Sequence, residues 1–188
     1  MTPAPSASPD TLVAAYLHAK DENRPHLMPG VFAADATLEM VVRTGTISFP
    51  PLSRGIDAIT EVLVRGFGRT YENVYTFCLQ RPDAAASRFE CDWLVGMSEK
   101  ATGLVRVGCG RYDWTFGGSP PARVDRLVIT IEAMQVLPAS ALGAVTAWTA
   151  ALPYPWCPPQ VAVAAAPALD GLEPVLRHVS ASGAVRAA

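Results

Sequence analysis

Apolar positions along this chain follow a helical period in some stretches and a strand period in others. In "TLVAAYLHAKDE", Leu12, Ala15, Tyr16 and Ala19 fall on one stripe at helical spacing, and Asp10 or Thr11 stands where a cap would. Pro25 and Pro29 bracket a short helical turn at "HLMPGVF", and "ATLEMVVR" reads as a strand. After the Gly/Pro-rich "TGTISFPPLSRG", Ile56, Ile59, Leu63 and Phe67 line one face of a second helix. Four strands come next, "ENVYTFCL", "SRFECDWLVGM", "GLVRVGCGRYDWTF" and "RVDRLVITIEAMQVL". Pro82-Asp83, Thr102-Gly103 and Gly117-Gly118 between them are hairpin signals. "ASALGAVTAWTAAL" predicts one more helix, with Leu142, Val145 and Trp148 as its apolar edge, and "PYPWCPP" ends it. A weak helical piece remains near "LEPVLRHV". The order helix, strand, helix, antiparallel meander predicts an α+β domain with helices on one face of a bent sheet. The expected organisation is a disordered lead over 1–9, the domain over 10–137, a helix and Pro/aromatic segment over 138–160, and a weakly structured Ala/Pro-rich tail over 161–188.

Composition narrows the class. The chain has 188 residues, 50% hydrophobic and 17% charged, which suits one domain with a real core. Net charge is −2 and the basic residues are scattered, which argues against a nucleic-acid or acidic-membrane surface. No apolar run approaches the roughly 20 residues of a membrane span, and "MTPAPSASPD" lacks the basic and apolar regions of a signal peptide. The expected location is the cytoplasm. Cys78, Cys91, Cys109 and Cys157 show no metal-binding spacing, so reduced, buried thiols and no metal site are expected. His18 and His26 are eight residues apart and read as surface, while His178 lies in the tail and is assigned no role.

The strand "FECDWLVGM" holds the one group whose place needs explaining. Phe89, Cys91, Trp93, Val95 and Met97 point to one side, and Glu90, Asp92, Leu94 and Gly96 to the other. An acid in so apolar a strand is costly unless paired or used. Asp92 has three readings: an ion pair with Arg106 or Arg111, a ligand anchor, or a general acid or base. Arg111 and Asp113 read as an interface or surface pair.

Three stretches, "VFAADATLEM", "RGIDAI" and "ITIEAMQVL", make residues 10–137 resemble the NTF2-like superfamily, which includes ketosteroid isomerase, limonene epoxide hydrolase and the SnoaL-like polyketide cyclases. The resemblance implies a curved sheet wrapped over helices, forming a cone with a largely apolar pocket. It sets Tyr16 at the isomerase's oxyanion tyrosine, Tyr112 on or beside its second acid, and Met40 where its base would stand. On the epoxide hydrolase pattern, Asp92 and Glu90 fall at an Arg-x-Asp pair, Ile129 at a further aspartate, and Leu38 and Met40 at the water-holding pair. In this register Asp92, Tyr16 and Tyr112 are the catalytic candidates. Leu38, Met40, Glu90, Trp114, Phe116, Ile129 and Ile131 line the pocket. The implied function is binding of a small, mainly apolar molecule without a cofactor, with isomerase, lyase or hydrolase chemistry at Asp92. The alternative is a non-catalytic ligand-binding or assembly module. On this register Cys91, Trp93, Val95, Met97, Val105, Val107 and Cys109 make the sheet's outer face apolar, so something must cover it. A second copy of the chain is the expected cover, and the 138–160 segment with Tyr154 and Trp156 is the rival.

Overall fold

The computed structural model describes residues 7–117 and 122–184. Most of the expected lead, Gly118 of the Gly117-Gly118 turn and the last four residues lie outside them. Helix α1 (Pro9–Asp21) starts on a proline, whose fixed φ suits a first helical turn. Ser8, rather than Asp10 or Thr11, holds the cap position. A 3-10 turn (Pro25–Gly30) leads into β1 (Phe32–Val42), and the short β2 (Leu52–Arg54) folds back on it. Helices α2 (Ile56–Thr60) and α3 (Phe67–Thr70) are continuous through a π-helical stretch, Glu61–Gly66. Then come β3 (Tyr71–Cys78), β4 (Arg88–Glu99), β5 (Val105–Gly117) and β6 (Arg123–Leu137). The sheet runs β2-β1-β6-β5-β4-β3, antiparallel except where β1 lies parallel to β6. This is the α+β architecture that the sequence predicts.

Two cores flank the sheet. The inner one packs Leu12, Tyr16, Leu17, Ile59, Leu63 and Phe67 of the N-terminal helices against the concave face. The outer one packs Phe77, Leu94, Val105, Val107 and Cys109 against the chain beyond Leu137. There, α4 (Leu142–Ala151), α5 (Pro159–Ala164) and α6 (Glu173–Ala184) bring Val145, Trp148, Val175 and Val179 onto the sheet. The tail expected to be weakly structured thus carries two helices, with Val175 and Val179 fully buried. Gly96 permits the close approach of α4, because a Cβ there would sit 2.9 Å from Thr149 Cγ2 and 3.2 Å from Val145 Cγ1.

The outer face therefore has its cover within the same chain, and the expected second copy on this face is corrected to the 138–184 segment. The expected faces of β4 are reversed as well. Opposed residues of antiparallel strands share a face, and Cys91 opposes Tyr112 while Asp92 opposes Arg111. Cys91, Trp93, Val95 and Met97 accordingly belong to the inner core with Tyr112, and Leu94 to the outer one. Val105, Val107 and Cys109 lie outside as expected.

Between α4 and α5 an extended arm clips onto the end of β3. The Cys78 amide donates to the Pro155 carbonyl at 2.9 Å, and the Cys157 amide donates to the Cys78 carbonyl at 3.0 Å. The hydrogen bonds fix Tyr154 and Trp156 beside the sheet.

Candidate functional site

The concave face closes around an apolar cavity of about 50 Å³. Met40, Ile129, Ile131 and Met134 form its wall on β1 and β6, and Trp93, Val95, Met97 and Tyr112 its wall on β4 and β5. Tyr16 and Lys20 enter from α1, Leu63 and Phe67 from the second helical run, and Ile47 and Phe49 from the loop before β2. Three flexible methionines in so small a space make the wall adaptable.

Tyr16 is fully buried in an aromatic cluster, edge-on to Phe32, Tyr112 and Trp114 at centroid distances of 6.0, 6.2 and 5.2 Å. Burial pushes the phenols of both Tyr16 and Tyr112 above the ordinary tyrosine range, so both remain protonated donors. The Tyr16 hydroxyl and the Trp93 indole N–H are buried without a hydrogen-bond acceptor among the described residues. Lys20 lies one helical turn beyond Tyr16 on the same face and is 6% exposed. Its ammonium donates to Asp21 Oδ1 at 2.6 Å and to Thr76 Oγ1 at 2.8 Å, and sits 4.5 Å from the centre of the Phe67 ring. Asp21 also accepts the Thr76 amide (2.8 Å), the Thr76 hydroxyl (2.9 Å) and the Tyr154 hydroxyl (3.2 Å). Four donors occupy its two oxygens, so it has no lone pair to spare as a base.

Asp92 is elsewhere. It lies on the outer face, where His178 Nε2 of α6 stands 3.4 Å from its Oδ1. Burial pushes its carboxyl up, but the nearness of the His178 imidazole and the Ser182 hydroxyl, with the charges of His178 and Arg111, outweighs burial and holds it below the usual range. The Asp92 carboxylate beside it raises His178 in turn, against desolvation. Beside them opens a cleft of about 440 Å³ lined by Arg81, Trp156, Gln160 and Ser182. The expectation that Asp92 faces the pocket is thus corrected, and so is the reading of His178 as a residue without a role. The arginines proposed as partners of Asp92 are engaged otherwise, Arg106 with Glu99 at 3.1 Å and Arg111 with Glu90.

Of the other candidates, Tyr16, Tyr112, Met40, Ile129 and Ile131 line the cavity. Leu38, Trp114 and Phe116 are buried in the same core without reaching it. Glu90 is on the outer face with Arg88 and Arg111. Asp113 pairs with Arg88 at 3.0 Å rather than with Arg111. Sequence reasoning missed Lys20, Thr76, Trp93 and Met134. The spacing of Tyr16 and Lys20 was the available signal for the lysine. Among the described residues, no group of three or more His, Cys, Asp and Glu side chains forms a metal-binding set. No helix among them is long and apolar enough to cross a membrane.

A six-stranded, unclosed, curved sheet wrapped over N-terminal helices is the NTF2-like fold, and solved structures agree. An NTF2-like superfamily protein from Salmonella enterica serovar Typhimurium matches with a TM-score of 0.55 at 17% identity, over 66% of this chain and 88% of its own. A ketosteroid isomerase-like protein from Erwinia carotovora atroseptica matches with a TM-score of 0.50 at 15% identity, over 68% and 96%. A hexachlorocyclohexane dehydrochlorinase matches with a TM-score of 0.52 at 12% identity, over 67% and 84%. No protein-family model and no curated protein matches the chain. Identities this low carry the fold and leave function to the site.

Proposed function

We propose that the cone receives a small, mainly apolar molecule bearing one hydrogen-bond acceptor, of which a ketone is the simplest kind. The observation that carries this reading is the pair of buried donors, Tyr16 Oη and Trp93 Nε1, that lack an acceptor beside an apolar cavity. A buried donor without a partner costs about 1–3 kcal/mol, which an incoming oxygen would recover. Asp21 behind the lining matches the Lys20 charge, so the cavity faces no unpaired charge and favours a neutral acceptor over an anion. A volume of about 50 Å³ is well below the roughly 300 Å³ of a typical small-molecule site. Occupancy by a ring compound therefore requires Met40, Met97, Met134 and Phe49 to give way.

The same lining favours binding over turnover. Proton abstraction needs an available base within reach of the substrate. No carboxylate or imidazole lines the cavity among the described residues, and Met40 stands where the isomerase pattern has its aspartate.

Methyl NMR with 13C-labelled methionine tests the reading, with cyclohexanone as probe and methylcyclohexane as its apolar counterpart. The ketone is expected to shift the Met40, Met97 and Met134 methyls and leave Met28 unmoved, and to bind at least tenfold more tightly than the hydrocarbon. Equal responses to the two, or none at millimolar concentration, would overturn it.

A further inference from the structure

The C-terminal arm packs Trp156 against the inner core and reaches the polar edge of the cone through the Tyr154 hydroxyl. Tyr154 donates to Asp21 Oδ2, Asp21 Oδ1 holds the Lys20 ammonium, and Lys20 lines the cavity. Three parts of the chain meet in this cluster: the end of α1 with Lys20 and Asp21, β3 with Thr76, and the arm with Tyr154. The arm's position is set two residues beyond Thr76, where Cys78 exchanges backbone hydrogen bonds with Pro155 and Cys157. Tyr154 is further fixed by its ring, edge-on to Phe77 at 5.8 Å and to Tyr75 at 6.4 Å. Within the cluster the Asp21 side chain is 3% exposed and that of Lys20 7%, whereas Tyr154 is 41% exposed. The phenol is where the buried ion pair meets the surface.

We propose that Tyr154 is a positioning residue of the cone, acting through Asp21 on Lys20, and that the arm thereby sets the polar floor on which a bound molecule rests. The inference rests on the reading of the cone as a binding site, and it assigns the segment after β6 a part in that site beyond covering the sheet. All four lone-pair sites of the Asp21 carboxylate are taken, so loss of the Tyr154 hydroxyl frees one of them on the side nearest water. Water bound there competes with Thr76 for Oδ2, lets the carboxylate turn, and releases the ammonium that Oδ1 holds. Burial keeps the Tyr154 phenol above its ordinary range and hence a donor throughout the accessible pH span.

The test is Tyr154→Phe in the full chain, read by 15N-detected NMR of the Lys20 ammonium, whose signal is assigned by its disappearance in Lys20→Met. In the unaltered protein the buried, hydrogen-bonded ammonium protons are expected to exchange slowly. In the variant they are expected to exchange at least tenfold faster, with a displaced 15N resonance, and cyclohexanone affinity is expected to fall about threefold to tenfold. Tyr75→Phe, which alters a neighbouring ring that does not touch Asp21, should leave the ammonium signal in place. A Tyr154→Phe spectrum superimposable on the unaltered one overturns the inference, as does an equal displacement by Tyr75→Phe. Failure of the unaltered protein to bind cyclohexanone would count against the reading of the cone. The ammonium signal alone would still decide about Tyr154.

Discussion

At the scale of single residues, the most consequential charge is one the sequence disguises. Lys20 sits in "HAKDE", a polar helix end of ordinary appearance, yet it is buried with Asp21 beneath the cavity. Removing one member of a buried pair strands the other, at a cost of about 3–5 kcal/mol. Lys20→Met is therefore expected to lower stability by roughly that amount in urea denaturation, and Lys20→Met with Asp21→Asn to recover more than half of it. No recovery in the double variant would assign the loss to packing of the lysine stem instead. Asp92 teaches the opposite lesson. Period-two alternation on its strand sets the wholly apolar Phe89, Cys91, Trp93, Val95 and Met97 on one face and Glu90 and Asp92 on the other, which favours Asp92 outward, the opposite of what the family resemblance implies. The pairing of Cys91 with Tyr112 decides for the apolar set, and that register is a property of two strands rather than one. Tyr16 and Tyr112 were legible because aromatic residues on an otherwise apolar stripe point inward whatever the register of their neighbours.

Among the elements, the N-terminal helices, all four strands of the meander, α4 and a weak helical piece at α6 were legible from periodicity, and α5 was not. Leu172, Val175 and Val179 do form a helical stripe in "LEPVLRHV", but a stripe does not say what it lies on. The answer is the outer sheet, where His178 of α6 meets Asp92 of β4. Asp92 and Glu132 favour the imidazolium, and Arg111 bears on Asp92 from β5. A histidine raised by its partner stabilises the fold in full below its unfolded pKa, about 6.5, and loses that contribution as pH climbs through the folded value. Asp92 is lowered, so its contribution is present above the unfolded value of about 3.9 and disappears as pH falls through the folded one. The α6 contact is strongest between these limits. Hydrogen exchange of the α6 amides is expected to quicken from pH 5.5 to pH 8.5 by more than the intrinsic rate of exchange does. In His178→Gln that excess should vanish. An unchanged excess in the variant would mean that the ion pair does not hold the helix.

For the molecule as a whole, the sequence exposed the need for a cover over Val105, Val107 and Cys109 without naming it. Two covers satisfy the same apolar face, a second chain or a later part of the same one, and composition does not distinguish them. The structure assigns the cover to residues 138–184, with Trp148 tying α4 to α5 through a 3.0 Å hydrogen bond to the Ala162 carbonyl. A chain ending at Leu137 is accordingly expected to associate through its bared face. Sedimentation at micromolar concentration checks this, and a well-behaved monomer would show that the face tolerates water.

Because the cover comes after the sheet in sequence, the two are not made together. During synthesis at about 5–20 residues per second, the strands leave the ribosome seconds before α4, α5 and α6 can reach them. For that interval Leu94, Val105 and Val107 face the crowded cell with no shield. The nascent sheet is thus expected to need shielding of the kind holding chaperones give, for as long as the translation of its own C-terminal helices lasts.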